Sequence, residues 1–238
     1  MADRITADIG RIDQAGRQMA EQAAEYVRLC EQMYRDVDIM GAAWKGSDNQ
    51  AFVSKVNAYR ADFSQVLANL SRFSDFLTDA ARSYRQTQQS VTQAAASLPS
   101  GAGGSGSGFP ISLPDNWLMV TQPYPLPGVL PAPISVGPAI ADRIAISLSE
   151  VSGCAGRIRT TAGRLDSKLH EIQQTMNSLA DAWESDAADT IRARMNALVS
   201  KIDGYRGTPE AYASFLDRTV AQYQTTEAKI RSSADGIG

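Results

Sequence analysis

The chain is its own repeat. Displacing the 238-residue sequence by 139 positions lays "ADRI" at 2–5 over "ADRI" at 141–144, Trp44 over Trp183 and Tyr84 over Tyr223, with no gap between these anchors. A duplication of this size constrains the fold before any residue chemistry does. Each copy is one structural unit, and each is expected to cover its apolar surface with the other. Between the copies the composition changes. Nine of the ten prolines lie from Pro99 to Pro138, and the tract opens with "SGAGGSGSG". Proline cannot continue a helix, so this stretch reads as an extended tether. The boundaries are then 1–97 for the first unit, 98–138 for the linker and 139–238 for the second. Phe109, Ile111, Leu113, Trp117, Leu118, Val120 and Leu126 are too apolar for a purely solvated tether, so part of it is expected to lie along a groove.

Within each unit the apolar residues step by four and three. The first run is Ile5, Ile9, Ile12, Gly16, Met19, Ala23, Tyr26, Cys30, Met33, Val37, Met40 and Trp44. The second is Ile144, Leu148, Val151, Ala155, Ile158, Ala162, Leu165, Leu169, Ile172, Met176, Leu179 and Trp183. Such steps place one narrow stripe along a helix. After each tryptophan the stripe resumes, through Phe52, Val56, Tyr59, Phe63, Val66, Leu70, Phe73, Leu77, Ala80 and Tyr84, and through Ile191, Met195, Leu198, Ile202, Tyr205, Tyr212, Leu216, Thr219 and Tyr223. Pro209 takes the place of Leu70. With Gly204 and Gly207 beside it, it predicts a break, with Thr208 capping the helix beyond it. Ser47 with Gln50 reads as a capping box, and Asp186 as the cap of the second return helix. Each unit is thus a hairpin of helices of roughly 40 residues, about 60 Å long. One hairpin cannot cover both of its stripes. The expected fold is all-α: two hairpins packed antiparallel as a single-chain four-helix bundle, a monomer that is an internal pseudo-dimer. The linker must cross about 60 Å, and 40 extended residues reach on the order of 130 Å.

Composition removes several functions. Lys and Arg number 23 against 26 Asp and Glu, for a net charge of −3. No basic cluster stands out, so no nucleic-acid partner is expected. No apolar run approaches the ~18 residues of a membrane span, and "MADRITADIGRID" lacks the apolar core of a general secretory signal. His170 is the single histidine and lies mid-helix among polar residues, so neither a Ser-His-Asp set nor a metal constellation is expected. "GAGGSGSG" is followed by Phe-Pro, with no strand before it or helix after it, so it does not cradle phosphate. Neither an enzyme nor a cofactor is expected.

A tryptophan at each bend has two readings that the residues leave open: a core ring that ends a helix, or a ring presented to a partner. The sequence resembles the ESAT-like helical hairpins with a central W-x-G turn, substrates of type VII secretion. Trp44-Lys45-Gly46 matches the turn motif in full. Trp183-Glu184-Ser185 carries serine for the glycine, which suits the position if the backbone keeps a negative φ. The resemblance brings a second signal, Y-x-x-x-[D/E], after the return helix. Tyr223 to Glu227 matches it, whereas Tyr84 to Gln88 lacks the acid. The resemblance implies antiparallel pairs, each turn at its partner's open end. One end of the bundle then combines Trp44, Gly46, Tyr223 and Glu227. The other combines the degenerate set Trp183, Ser185 and Tyr84.

The implied role is a non-enzymatic protein exported folded to the cell surface or beyond by a leaderless route. Its implied partners are the secretion ATPase and export machinery, then a host or target-cell protein. Two other readings stay open: a cytosolic adaptor or chaperone-like scaffold of the same fold, and a bundle that opens onto membranes. Cys30 lies on the stripe and reads first as a small buried apolar residue. Taking the two first helices to cross at their midpoints also sets it level with Cys154, so a disulfide between hairpins is a second reading, one that suits an exported protein.

Overall fold

The structure is a computed structural model that describes residues 5–96 and 145–235. In chain order it comprises β1 (Thr6–Ala7), α1 (Ile9–Ala43), β2 (Trp44–Lys45), α2 (Ser47–Ala96), β3 (Ala145–Ile146), α3 (Leu148–Asn177), β4 (Trp183–Glu184), α4 (Asp186–Asp203) and α5 (Gly207–Asp235). The helices form two hairpins, α1 with α2 and α3 with α4–α5, and α1 lies against α3 at the centre of the bundle. The linker residues expected in a groove, Phe109 to Leu126, lie outside the described residues, as do Ile144 and the side chains of Phe63 and Val66.

The apolar stripes are the core. From Ile12 to Trp44, every stripe position of α1 and its turn is buried. The counterpart run from Val151 to Trp183 is buried too, apart from the half-buried Ala162. Ile5 departs from the expectation: it precedes α1 and is 64% exposed. Gly16 sits where α1 and α2 approach closely. A Cβ there would stand 2.7 Å from Thr78 Oγ1 and 3.1 Å from the Thr78 backbone nitrogen, so only a glycine allows this spacing. The second hairpin breaks at Gly204–Arg206, as Pro209 predicts. The restart differs in detail. Gly207 opens α5, and Thr208 lies inside it, donating its backbone N–H to the Tyr205 carbonyl at 3.0 Å.

A second face meets across the middle. Ala15, Gln22, Leu29 and Asp36 recur every seven residues on α1. Cys154, Thr161, Lys168 and Thr175 do the same on α3. The two sets are repeat equivalents and meet antiparallel. Thr175 donates to Gln22 Oε1 at 3.2 Å, and Cys154 donates to the Asp36 carbonyl at 3.5 Å. Lys168 pairs with Glu25 at 3.0 Å and Arg157 with Asp36 at 2.7 Å. Their small and polar character hid this seam from a search for apolar steps.

Both ends are closed by two-residue antiparallel ladders. Trp44 pairs with Ile146 and Lys45 with Ala145, whereas Ala7 pairs with Trp183 and Thr6 with Glu184. Each turn therefore lies against the first residues of the other hairpin, and the packing is head to tail. The ladders, not the helix midpoints, set the register. Asp36, not Cys30, stands level with Cys154, and Cys30 lies six residues back along α1, about 9 Å of helical rise away. Both thiols are free and buried, so the expected disulfide is absent. Among the described residues no helix is long and apolar enough to cross a membrane.

Candidate functional site

The two ends of the bundle share a plan and differ in chemistry. At the first end α1 stops at Trp44, whose backbone turns extended (φ −130°, ψ 109°) to join its ladder. That turn drives the ring inward, where it is 0% exposed and lies 6.3 Å from the Phe52 ring. Asn49, itself buried, donates from Nδ2 to the Trp44 carbonyl at 2.6 Å and to the Gly41 carbonyl at 3.3 Å. These bonds satisfy two carbonyls left over at the end of α1.

The return helix starts one residue earlier than the capping-box expectation. The Gly46 carbonyl accepts from Gln50 N at 3.3 Å, so Gly46 is the cap and Ser47 is the first helical residue. Asp48 then folds back over the turn. Its Oδ1 accepts from Asn49 N at 2.9 Å, and its Oδ2 accepts from the Tyr223 hydroxyl at 2.7 Å. Partial burial, followed by the hydrogen bond to Asp48 and the charge of that carboxylate, pushes the Tyr223 phenol up to about 12, with the Trp44 indole N–H pulling weakly the other way. Trp44 Nε1 is buried and makes no hydrogen bond of good geometry among the described residues. Glu227 lies one turn beyond Tyr223 on α5 and is exposed.

At the second end the parts are rewired. The Trp183 ring is 1% exposed, and its Nε1 donates to the Tyr84 hydroxyl at 3.2 Å, with the two rings edge to face at 6.2 Å. Arg192 replaces Asn49 as the donor to the tryptophan carbonyl, at 3.0 Å. Ser185, not Asp186, caps α4: its backbone is extended (φ −170°) and its hydroxyl accepts from Ala188 N at 3.1 Å. The third position of the W-x-G turn is thus the helix cap in both hairpins, a place that glycine and serine both suit.

The structure brings Trp44, Gly46 and Tyr223 to one end, with Glu227 just beyond, and Trp183, Ser185 and Tyr84 to the other. Both rings lie in the core rather than on a surface. Reasoning from sequence missed Asp48, Asn49 and Arg192. Only Asp48 carried a visible signal: it is an acid whose repeat counterpart is Ala187.

The chain matches the WXG100 family model, described as proteins of 100 residues with WXG, at residues 4–89 and again at 143–228. It belongs to that family, as two WXG-type hairpins in tandem. The family comprises small helical secreted proteins, not known enzymes. Neither a curated protein nor a solved structure matches the chain.

Proposed function

We propose that this protein is a substrate of a type VII secretion system, exported folded, and that the secretion ATPase reads the end bearing Trp44, Gly46, Tyr223 and Glu227. One observation carries the reading. The tryptophan turn comes from one hairpin, the tyrosine and the acid come from the other, and head-to-tail packing sets them at one end. A signal split in this way exists only when both halves are folded and paired, which suits export as a bundle. Because Trp44 is fully buried, its part is to build the end. The machinery touches Lys45, the outer edge of Tyr223 and the exposed turn through Glu227. Beyond the machinery, the implied destination is the cell exterior and a host or target-cell protein.

The test compares secretion into washed culture supernatant for variants of each end. Tyr223→Phe and Glu227→Gln are expected to reduce export at least tenfold while leaving cellular levels unchanged. Trp183→Phe and Tyr84→Phe are expected to leave it near normal. Equal losses from both ends count against a single reading end. Retention of the unaltered protein in cells with an active ATPase favours the adaptor reading instead.

A further inference from the structure

The W-x-G glycine of the first hairpin is not required by its backbone dihedrals, because Gly46 does not occupy the left-handed region. What the missing side chain provides is room. A Cβ on Gly46 would collide with Asp48 Oδ1. That oxygen is not free to move away, since the same carboxylate accepts from Asn49 N and from the Tyr223 hydroxyl. The second hairpin is a control supplied by the repeat. There the glycine is Ser185 and the acid is Ala187, and the two differences occur together. Without a carboxylate at 187, a side chain at 185 meets no obstruction, and Tyr84 is held by the Trp183 indole N–H instead.

The two clasps differ in strength. Hydroxyl to carboxylate is charge-assisted and roughly twice as strong as the neutral indole-to-phenol bond. The tyrosine is also the last partly buried residue of each return helix before a run of exposed ones, Gln224–Arg231 after Tyr223 and Arg85–Thr92 after Tyr84. The clasp is therefore the final fixed point of the helix that carries Glu227.

Resting on the export reading above, we propose that Asp48 is the positioning residue of the recognised end. It holds Tyr223, and with it the adjoining α5 segment, in the space that Gly46 leaves open, and so decides which end of the bundle is offered to the machinery. Gly46 and Asp48 then act as one unit, and the glycine matters only while the acid is present.

The experiment uses the full chain. NMR with ring-labelled tyrosine, assigned through Tyr223→Phe, tracks the Tyr223 phenol, and amide hydrogen exchange tracks residues 223–227. Asp48→Ala is expected to bring the Tyr223 midpoint down by roughly one pH unit or more, to speed exchange over 223–227, and to cut export at least tenfold, with helix content preserved. Asp48→Asn keeps an acceptor without the charge and should fall between the two. Gly46→Ala alone should reproduce Asp48→Ala, and adding it to Asp48→Ala should change nothing further. A second arm moves the unit: Ser185→Gly with Ala187→Asp and Gln88→Glu, in a chain carrying Tyr223→Phe, should slow amide exchange over 84–88 and restore export. Export lost with Tyr223→Phe but unaffected by Asp48→Ala overturns the role of Asp48 and leaves the export reading standing. Export insensitive to both overturns the two together. A Gly46→Ala defect that persists in full without Asp48 overturns the coupling.

Discussion

The two buried tryptophans invite the same substitution with different results. Their exposures are 0% and 1%, so Trp→Phe removes nearly the same packed surface at each, on the order of 1–2 kcal/mol of transfer and cavity cost. That part cancels in the comparison, and the indole N–H does not. At position 183 it donates to Tyr84, a bond with a net contribution of about 1 kcal/mol. At position 44 it is buried without a good partner, and removing it relieves a desolvation penalty of about 1–3 kcal/mol. Trp44→Phe should therefore be milder than Trp183→Phe by about 2–4 kcal/mol, or about 4–16 °C in Tm for a chain of this size. Urea unfolding monitored by far-UV circular dichroism measures both, with unchanged m-values as the check on comparability. Double-mutant cycles locate the cause. Trp183→Phe with Tyr84→Phe should couple by about 1 kcal/mol, and Trp44→Phe with Tyr223→Phe by no more than ~0.5 kcal/mol. A Trp44→Phe variant as unstable as Trp183→Phe, or more so, would show that the buried Trp44 N–H carries no such penalty.

Three further outcomes stem from the core. Burial pushes the phenols of Tyr26, Tyr34 and Tyr59 well above their ordinary value. Each keeps its proton in the fold after the unfolded chain would lose it. Stability should hold through neutral pH and fall as pH rises past ~10, because the native state then binds more protons than the unfolded one; equilibrium unfolding between pH 7 and 11 reads this, and a flat profile contradicts it. Desolvation pushes Cys154 up to about 12 and raises Cys30 as well, so a thiol reagent should find two slow thiols in the native protein and two fast ones after denaturation; a count of none under non-reducing conditions would restore the disulfide. Arg157→Leu leaves Asp36, whose side chain is 12% exposed, without its cation in the central seam. It should cost about 1–3 kcal/mol by thermal or urea melts, most of it recovered by Asp36→Ala in the same chain.

Much of this architecture could be read from the residues. The repeat predicts two hairpins, the four-three steps predict which face is buried, and Pro209 predicts the break between α4 and α5. The features that escaped are those carried by small or polar residues. The α1–α3 seam of Ala15, Gln22, Leu29 and Asp36 has one large apolar member, so no hydrophobic period reveals it. The ladders at the turns involve two residues each, too few to show alternation, yet they fix the register that separates Cys30 from Cys154. The cap of α2 shifted by one residue because Gly46, which has no capping side chain, opens the helix through its carbonyl, and that of α4 because Ser185, not the neighbouring Asp186, supplies the capping oxygen. Asp48 looked like an ordinary first-turn acid. Its partner Tyr223 is distant in sequence, and only packing brings the two together.

Everything functional here depends on the turns lying at opposite poles. Spin labels at the exposed positions Lys45 and Glu184, read by double electron–electron resonance in the full chain, measure that separation directly. With α3 running between the two ladders, the labels should stand about 50–60 Å apart, as the helical rise over that span requires. A dominant distance below ~25 Å would put both bends at one pole, separate Trp44 from Tyr223, and contradict the account.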